Sequence, residues 1–221
     1  MTDTIITVQG EFSAWYPAER ATVSVAVQLD GPSRDAVFGG AVASADTLRG
    51  LIEADFDPSS GPITRWNSDT VRVWSERPWN AEGAQLPLVF HAAVDFSARF
   101  SDFEALARWI ESVVSIDGVT VASISWELTD ATRTGATVEV RSRAVKDAVA
   151  KASVYAQSIG LGSVTAVALA DPGMLGDPVG GSAPSMARAS MLKSFDSGPQ
   201  LALKPEQIEV AAAVDARFVA R

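Results

Sequence analysis

The sequence has no cysteine, one histidine and two tyrosines in 221 residues. Without cysteine there are no disulfides, no thiolate nucleophile and no zinc–sulfur centre. With His91 as the single histidine, a transition-metal site would have to rest on carboxylates. No apolar run approaches the roughly 18 residues that a membrane-spanning helix requires. Net positive charge is also missing: the formal charge is −9 and the isoelectric point is near 4.6. Such a surface repels phosphate backbones and argues against a nucleic-acid partner. The densest basic stretch, Arg141, Arg143, Lys146 and Lys151, is interleaved with acids at helical spacing and reads as a solvated helix face. The first residues, "MTDTIITVQG", lack a basic segment followed by a long apolar one. They do not read as a signal peptide, and a cytoplasmic protein is expected.

Hydrophobic residues make up 47% of the chain and charged residues 20%, which suits a soluble domain with a substantial core. Residues 4–9 and 21–29 alternate with period two. Between them lie Gly10, Glu11, Trp15, Tyr16, Pro17, Glu19 and Arg20, a break that could be a site or a joint between two strands. A joint is preferred, with Gly10 relaxing or bulging the first strand and Pro17 turning the chain. Pro32 and Ser33 then open a helix with Val37, Ala41, Ala45, Leu48 and Ile52 on one face, weakened by Gly39 and Gly40. "PITRWNSDTVRVWSE" and "LPLVFHAAVDFSARF" read as a long antiparallel hairpin with a wide loop.

"SDFEALARWIESVVSIDG" is the clearest helix, capped by Ser101 or Asp102 and carrying Phe103, Leu106, Ala107, Ile110, Val113 and Val114 on its apolar stripe. Trp109 flanks that stripe and is expected to be half-buried. After the strand "VTVASISWELT", a longer helix is predicted from about Thr134 to Ile159, stopped by Gly160 and Gly162. The strand "SVTAVALAD" follows. Residues 171–204 lose all periodicity and read as a long flexible loop or insert, and "EQIEVAAAVDARFVA" returns as a strand. The order is therefore ββ-α-ββ-α-β-α-β-loop-β. It implies an α+β fold, an antiparallel or mixed sheet with helices packed on one face, within a single domain over 1–221.

Three stretches resemble the SIMPL-domain family. "ITVQGEFSAWYPAERATVSVAV" is similar to its opening pattern "VTGEGEV…P(D/E)RATVSVGV". "AVKDAVAKASVYAQSIGLGSVTAVALADPG" resembles its later helix and strand, and "KPEQIEVAAAVDARF" echoes its ending "EPGEIEVSASVTV". The stretches occur in the family's order and bracket nearly the whole chain. The resemblance implies an α+β fold and a tendency to form homo-oligomers, some of them large rings. It implies no cofactor and no established catalytic constellation. Many members carry a signal peptide, which this sequence does not show, and its "DATRTGATVEVRSR" is richer in Thr and Val than usual.

Candidate chemistry is sparse. His91 and Asp95 share a strand face, but nothing resembles a nucleophile elbow. "DFDPSSG" places Asp55, Asp57 and Ser59 like the start of a calcium loop, yet its glycine falls one place late and position twelve is Trp66 rather than Glu. A turn is the better reading. "GGSAPSMARAS" lacks the Lys-Ser/Thr of a phosphate loop. Six tryptophans are many for this length, and Trp66, Trp74 and Trp79 fall on the hairpin and its loop. Met186, Met191 and Phe195 give the 171–204 stretch side chains that could dock on another surface. The expectation is a non-enzymatic, self-associating scaffold or stress-related protein. The alternative is a binding module that holds a small apolar or glycan ligand with the hairpin 64–96 and loop 171–204.

Overall fold

Period-two alternation builds β1 (Thr4–Pro17), β2 (Arg20–Gly31), β3 (Ile63–Ser68), β4 (Arg72–Glu76), β5 (Val89–Phe100), β6 (Val119–Glu127), β7 (Val164–Ala170) and β8 (Gln207–Ala220). Among the described residues three helices interrupt them, α1 (Arg34–Asp55), α2 (Phe103–Val113) and α3 (Asp130–Ser158). The structure, a computed structural model, describes residues 3–79, 85–175 and 203–221. Most of the 171–204 stretch, with Met186, Met191 and Phe195, lies outside the described residues. The architecture is α+β, and the described strands number eight rather than the seven expected. The first arm of the hairpin breaks at Asp69–Val71, and its halves β3 and β4 pair with successive parts of β5.

The chain separates into two compact units. One contains β2, α1, β3, β4, β5, α2 and β6, in a sheet ordered β3-β5-β2-β6 with β4 also on β5. Its core joins Val23, Val25 and Val27 of β2 and Val94, Phe96 and Phe100 of β5 to Leu48 and Ile52 of α1 and Leu106, Ile110 and Val113 of α2. Both helices therefore cover the same sheet face. Each large side chain fully removed from water contributes about 1.5–3 kcal/mol, and this cluster holds most of the fully buried ones. Trp109 belongs to it too: only 4% exposed, its ring lies 5.3 Å from that of Phe100. The expectation of a half-buried Trp109 is corrected, because Phe100 extends the core beneath it. Asp102 caps α2 by accepting hydrogen bonds from the Glu104 and Ala105 amides at 2.9 and 3.0 Å.

The other unit contains β1, α3, β7 and β8, with β8 between the other two strands. β1 does not break at Gly10. It pairs with β8 residue for residue from Thr4 to Pro17, so the joint is confined to Ala18 and Glu19. α3 lies across one sheet face with Ala136, Val140, Ala144, Ala148, Ala152 and Ala156 buried at steps of four. Each such step advances about 40° around a helix of 3.6 residues per turn, so the row winds as the twisted sheet does. Alanine side chains bring the helix axis close, and Gly10 completes the approach. A Cβ at Gly10 would stand 2.1 Å from the Ala144 carbonyl oxygen and 2.7 Å from the Ala148 Cβ. α3 starts four residues before the expected Thr134, because Thr129 accepts the Thr132 amide as its N-cap. It ends at Ser158, and Gly160 (φ +78°) turns the chain after the C-cap Ile159, with the Leu161 amide donating to Ala156 O and the Gly160 amide to Gln157 O.

Candidate functional site

On the five-stranded sheet, the face opposite α1 and α2 is polar. His91 stacks on Trp74 with ring centroids 5.2 Å apart and planes at 19°, and its Nε2 lies 3.5 Å from Glu76 Oε1. Asp95, four residues along, pairs with Arg72. The His91–Asp95 pairing weighed for nucleophilic chemistry is therefore replaced by separate partners for each. On the side of Asp95 away from His91, a groove of about 330 Å³ is lined by Ser24, Ala26, Asn67, Asp69, Asp95 and Ser97.

The hairpin tryptophans do not gather there. Trp66 pairs opposite Ala98 and packs against the core, whereas Trp74 pairs opposite His91 on the polar face. From Ser68 to Arg72 the chain takes four steps while β5 takes three, from Phe96 to Ala93. That extra residue reverses which side chains face the core. Trp79 lies beyond β4 and is 86% exposed. In "DFDPSSG", Asp57 accepts hydrogen bonds from the Ser59 and Ser60 amides and the Ser60 hydroxyl. These bonds, the Ser59 amide first, hold its carboxyl below the ordinary aspartate range.

In the three-stranded sheet, α3 covers the face carrying Ile6, Val8 and Gly10. The opposite face presents alternate residues of β1 to solvent, with Ile5 63% and Trp15 60% exposed at its two ends. Along β1 itself α3 lays down a charged row at steps of four. Tyr16 donates to Glu139 Oε2 at 3.3 Å, and the Arg143 guanidinium lies over the Phe12 ring at 5.1 Å. The Glu11 amide donates to Asp147 Oδ2, and Lys151 Nζ donates to the Gln9 carbonyl, both at 2.9 Å. Lys151 also lies 2.8 Å from Asp147. Its ammonium, then the Glu11 amide, lower the Asp147 carboxyl, and Asp147 in turn raises Lys151. Arg143 and Lys151 were read as part of a solvated face; instead they turn onto β1. The spacing of the row was visible in the sequence, but its partner strand was not.

A family model for SIMPL, described as a protein of unknown function (DUF541), matches residues 6–218. The chain belongs to the SIMPL family. No curated protein matches it. In this SIMPL chain, no helix among the described residues is long and apolar enough to cross a membrane. The family match spans all eight strands apart from the outermost residues of β1 and β8. It thus takes in the Gly10–α3 contact, the polar groove and, apart from Ile5 and the end of β8, the open face of the three-stranded sheet.

Proposed function

We propose that this SIMPL protein is a non-enzymatic scaffold that works by associating with copies of itself through the open face of its three-stranded sheet. The observation that supports this is the placement of Ile5 and Trp15. Both are large apolar side chains on the face away from α3, the one helix among this unit's described residues, and both are mostly in water. An aromatic ring that has lost little of its hydration can still gain from burial in a contact. The chain's −9 charge favours a contact built around such uncharged positions. Light scattering after size exclusion tests the reading. A mass of several 23.2 kDa chains is expected for the wild type, and a lower mass for Ile5→Lys/Trp15→Lys. A wild-type monomer at micromolar concentration would end it.

A second reading, a module that binds a glycan, is favoured by the polar groove. Ser24, Asn67, Asp69 and Ser97 line it, and Trp74 offers an aromatic surface on the same sheet face. Titration of a mixed oligosaccharide panel should change Trp fluorescence in the wild type and less in Trp74→Phe. No response to any of the panel would remove this reading.

A further inference from the structure

We infer that the charged row of α3 guards the outer edge of β1 against the addition of a strand from a second copy of the chain. The argument rests on how the outer strands differ. An outer strand exposes unpaired amides and carbonyls that can template another strand, and proteins blunt it with bulges, short length, charges or a covering helix. Among the described residues, three of the outer strands carry an interruption. β7 pairs with β8 through Ala166 and Ala168, leaving Val167 without a partner. β6 pairs with β2 through Ser123 and Val121, leaving out Ala122. β3 leaves out Thr64, and beyond Ser68 the strand stops before β4 resumes for five residues.

β1 has no such device of its own. It is fourteen residues long, keeps an unbroken register with β8, and lies at the margin of its sheet. It is also the strand that α3 reaches around. The Gln9 carbonyl and Glu11 amide point the same way, since backbone groups two residues apart share a side of a strand. Lys151 and Asp147 occupy both. An incoming strand would have to displace two charge-assisted hydrogen bonds in the middle of its ladder. The absence of a side chain at Gly10 lets α3 sit low enough for Asp147 and Lys151 to reach that edge. The guard does not depend on the self-association reading, which concerns the sheet's face.

The test compares the wild type with Asp147→Ser/Lys151→Ser, which leaves net charge unchanged. The control is Asp46→Ser/Arg49→Ser, which removes an exposed ion pair from α1. Amide exchange followed by NMR should quicken about tenfold or more at Glu11 in the guard variant. Its light-scattering mass and thioflavin T binding should rise above the wild type's, whatever the wild-type mass proves to be, and the control should match the wild type. Unchanged Glu11 exchange, or faster exchange without added mass and dye binding, would overturn the inference. Equal assembly by the control would do the same. Lys151→Arg keeps a cationic donor and covers the case in which the double variant does not fold. It should behave as wild type, and assembly by that variant would also count against the guard.

Discussion

Gly10→Ala is expected to weaken the three-stranded unit although it adds a single methyl group. The Cβ would lie 2.1 Å from the Ala144 carbonyl oxygen, 2.6 Å from the Ala148 nitrogen and 2.7 Å from the Ala148 Cβ. None of these atoms belongs to a side chain that can swing aside. Ordinary contact begins near 3.4 Å, so α3 must withdraw by about 1.3 Å at the carbonyl, the difference between 3.4 and 2.1 Å. Overpacking of this kind costs about 1–3 kcal/mol. Against it stands the lower entropy of the unfolded alanine chain, worth about 0.4–1 kcal/mol at a backbone conformation that alanine accepts. Gly10 is not among the glycines with positive φ, so that gain applies in full. At mid-range the two leave a destabilisation of about 1.3 kcal/mol, which shifts a urea midpoint by roughly 0.6 M at an m-value near 2 kcal/mol/M. Urea unfolding followed by far-UV circular dichroism, with amide exchange read along β1 and β8, measures it. The lifted helix should also free the Glu11 amide from Asp147. A variant as stable as wild type, with Glu11 equally protected, would refute the close-approach argument.

Gly160→Ala should also destabilise, for a different reason: nothing stands within 4 Å of a Cβ there, but φ is +78°. The cost is the left-handed conformation alone, about 1–2 kcal/mol, and should appear as a lower urea midpoint with little change at Glu11. For Asp57, hydrogen bonds to the ionised carboxylate lower its folded-state pKa, so its contribution is full above the unfolded value near pH 4. That contribution is lost as pH falls through the folded-state value. The stability difference between wild type and Asp57→Ala should therefore be constant from about pH 5 to 7 and shrink below about pH 4. A difference that grows towards low pH would contradict the turn's hydrogen bonding.

What could be read in the sequence was what local chemistry decides. The α1 face through Val37, Ala41, Ala45, Leu48 and Ile52 is buried as its spacing indicated, and Asp102 and Gly160 bound their helices through contacts a few residues away. Gly10 resisted the same reading. A glycine in a strand signals either a bulge or a close neighbour, and the neighbour here is 134 to 138 positions along the chain, at Ala144 and Ala148. The faces of Trp66 and Trp74 were hidden for a related reason. Both are even-numbered, and only the extra residue between β3 and β4 places them on opposite sides. The row Glu139, Arg143, Asp147 and Lys151 showed its spacing plainly. Nothing local distinguishes a charged stripe facing water from one lying along a strand.

The central place of β8 also sets a timetable for the growing polypeptide. The five-stranded unit draws its strands and helices from one stretch, Arg20 to Glu127, and can close soon after that stretch is made. β1 is made before it, yet among the described residues its only strand partner is Gln207–Ala220, some two hundred positions later. At about 5–20 residues per second, β1 waits roughly 10–40 seconds without its strand partner during synthesis. α3 (Asp130–Ser158) is made within that interval and can cover one face of β1, but the β1 edge that β8 pairs with stays open until Gln207–Ala220 is made.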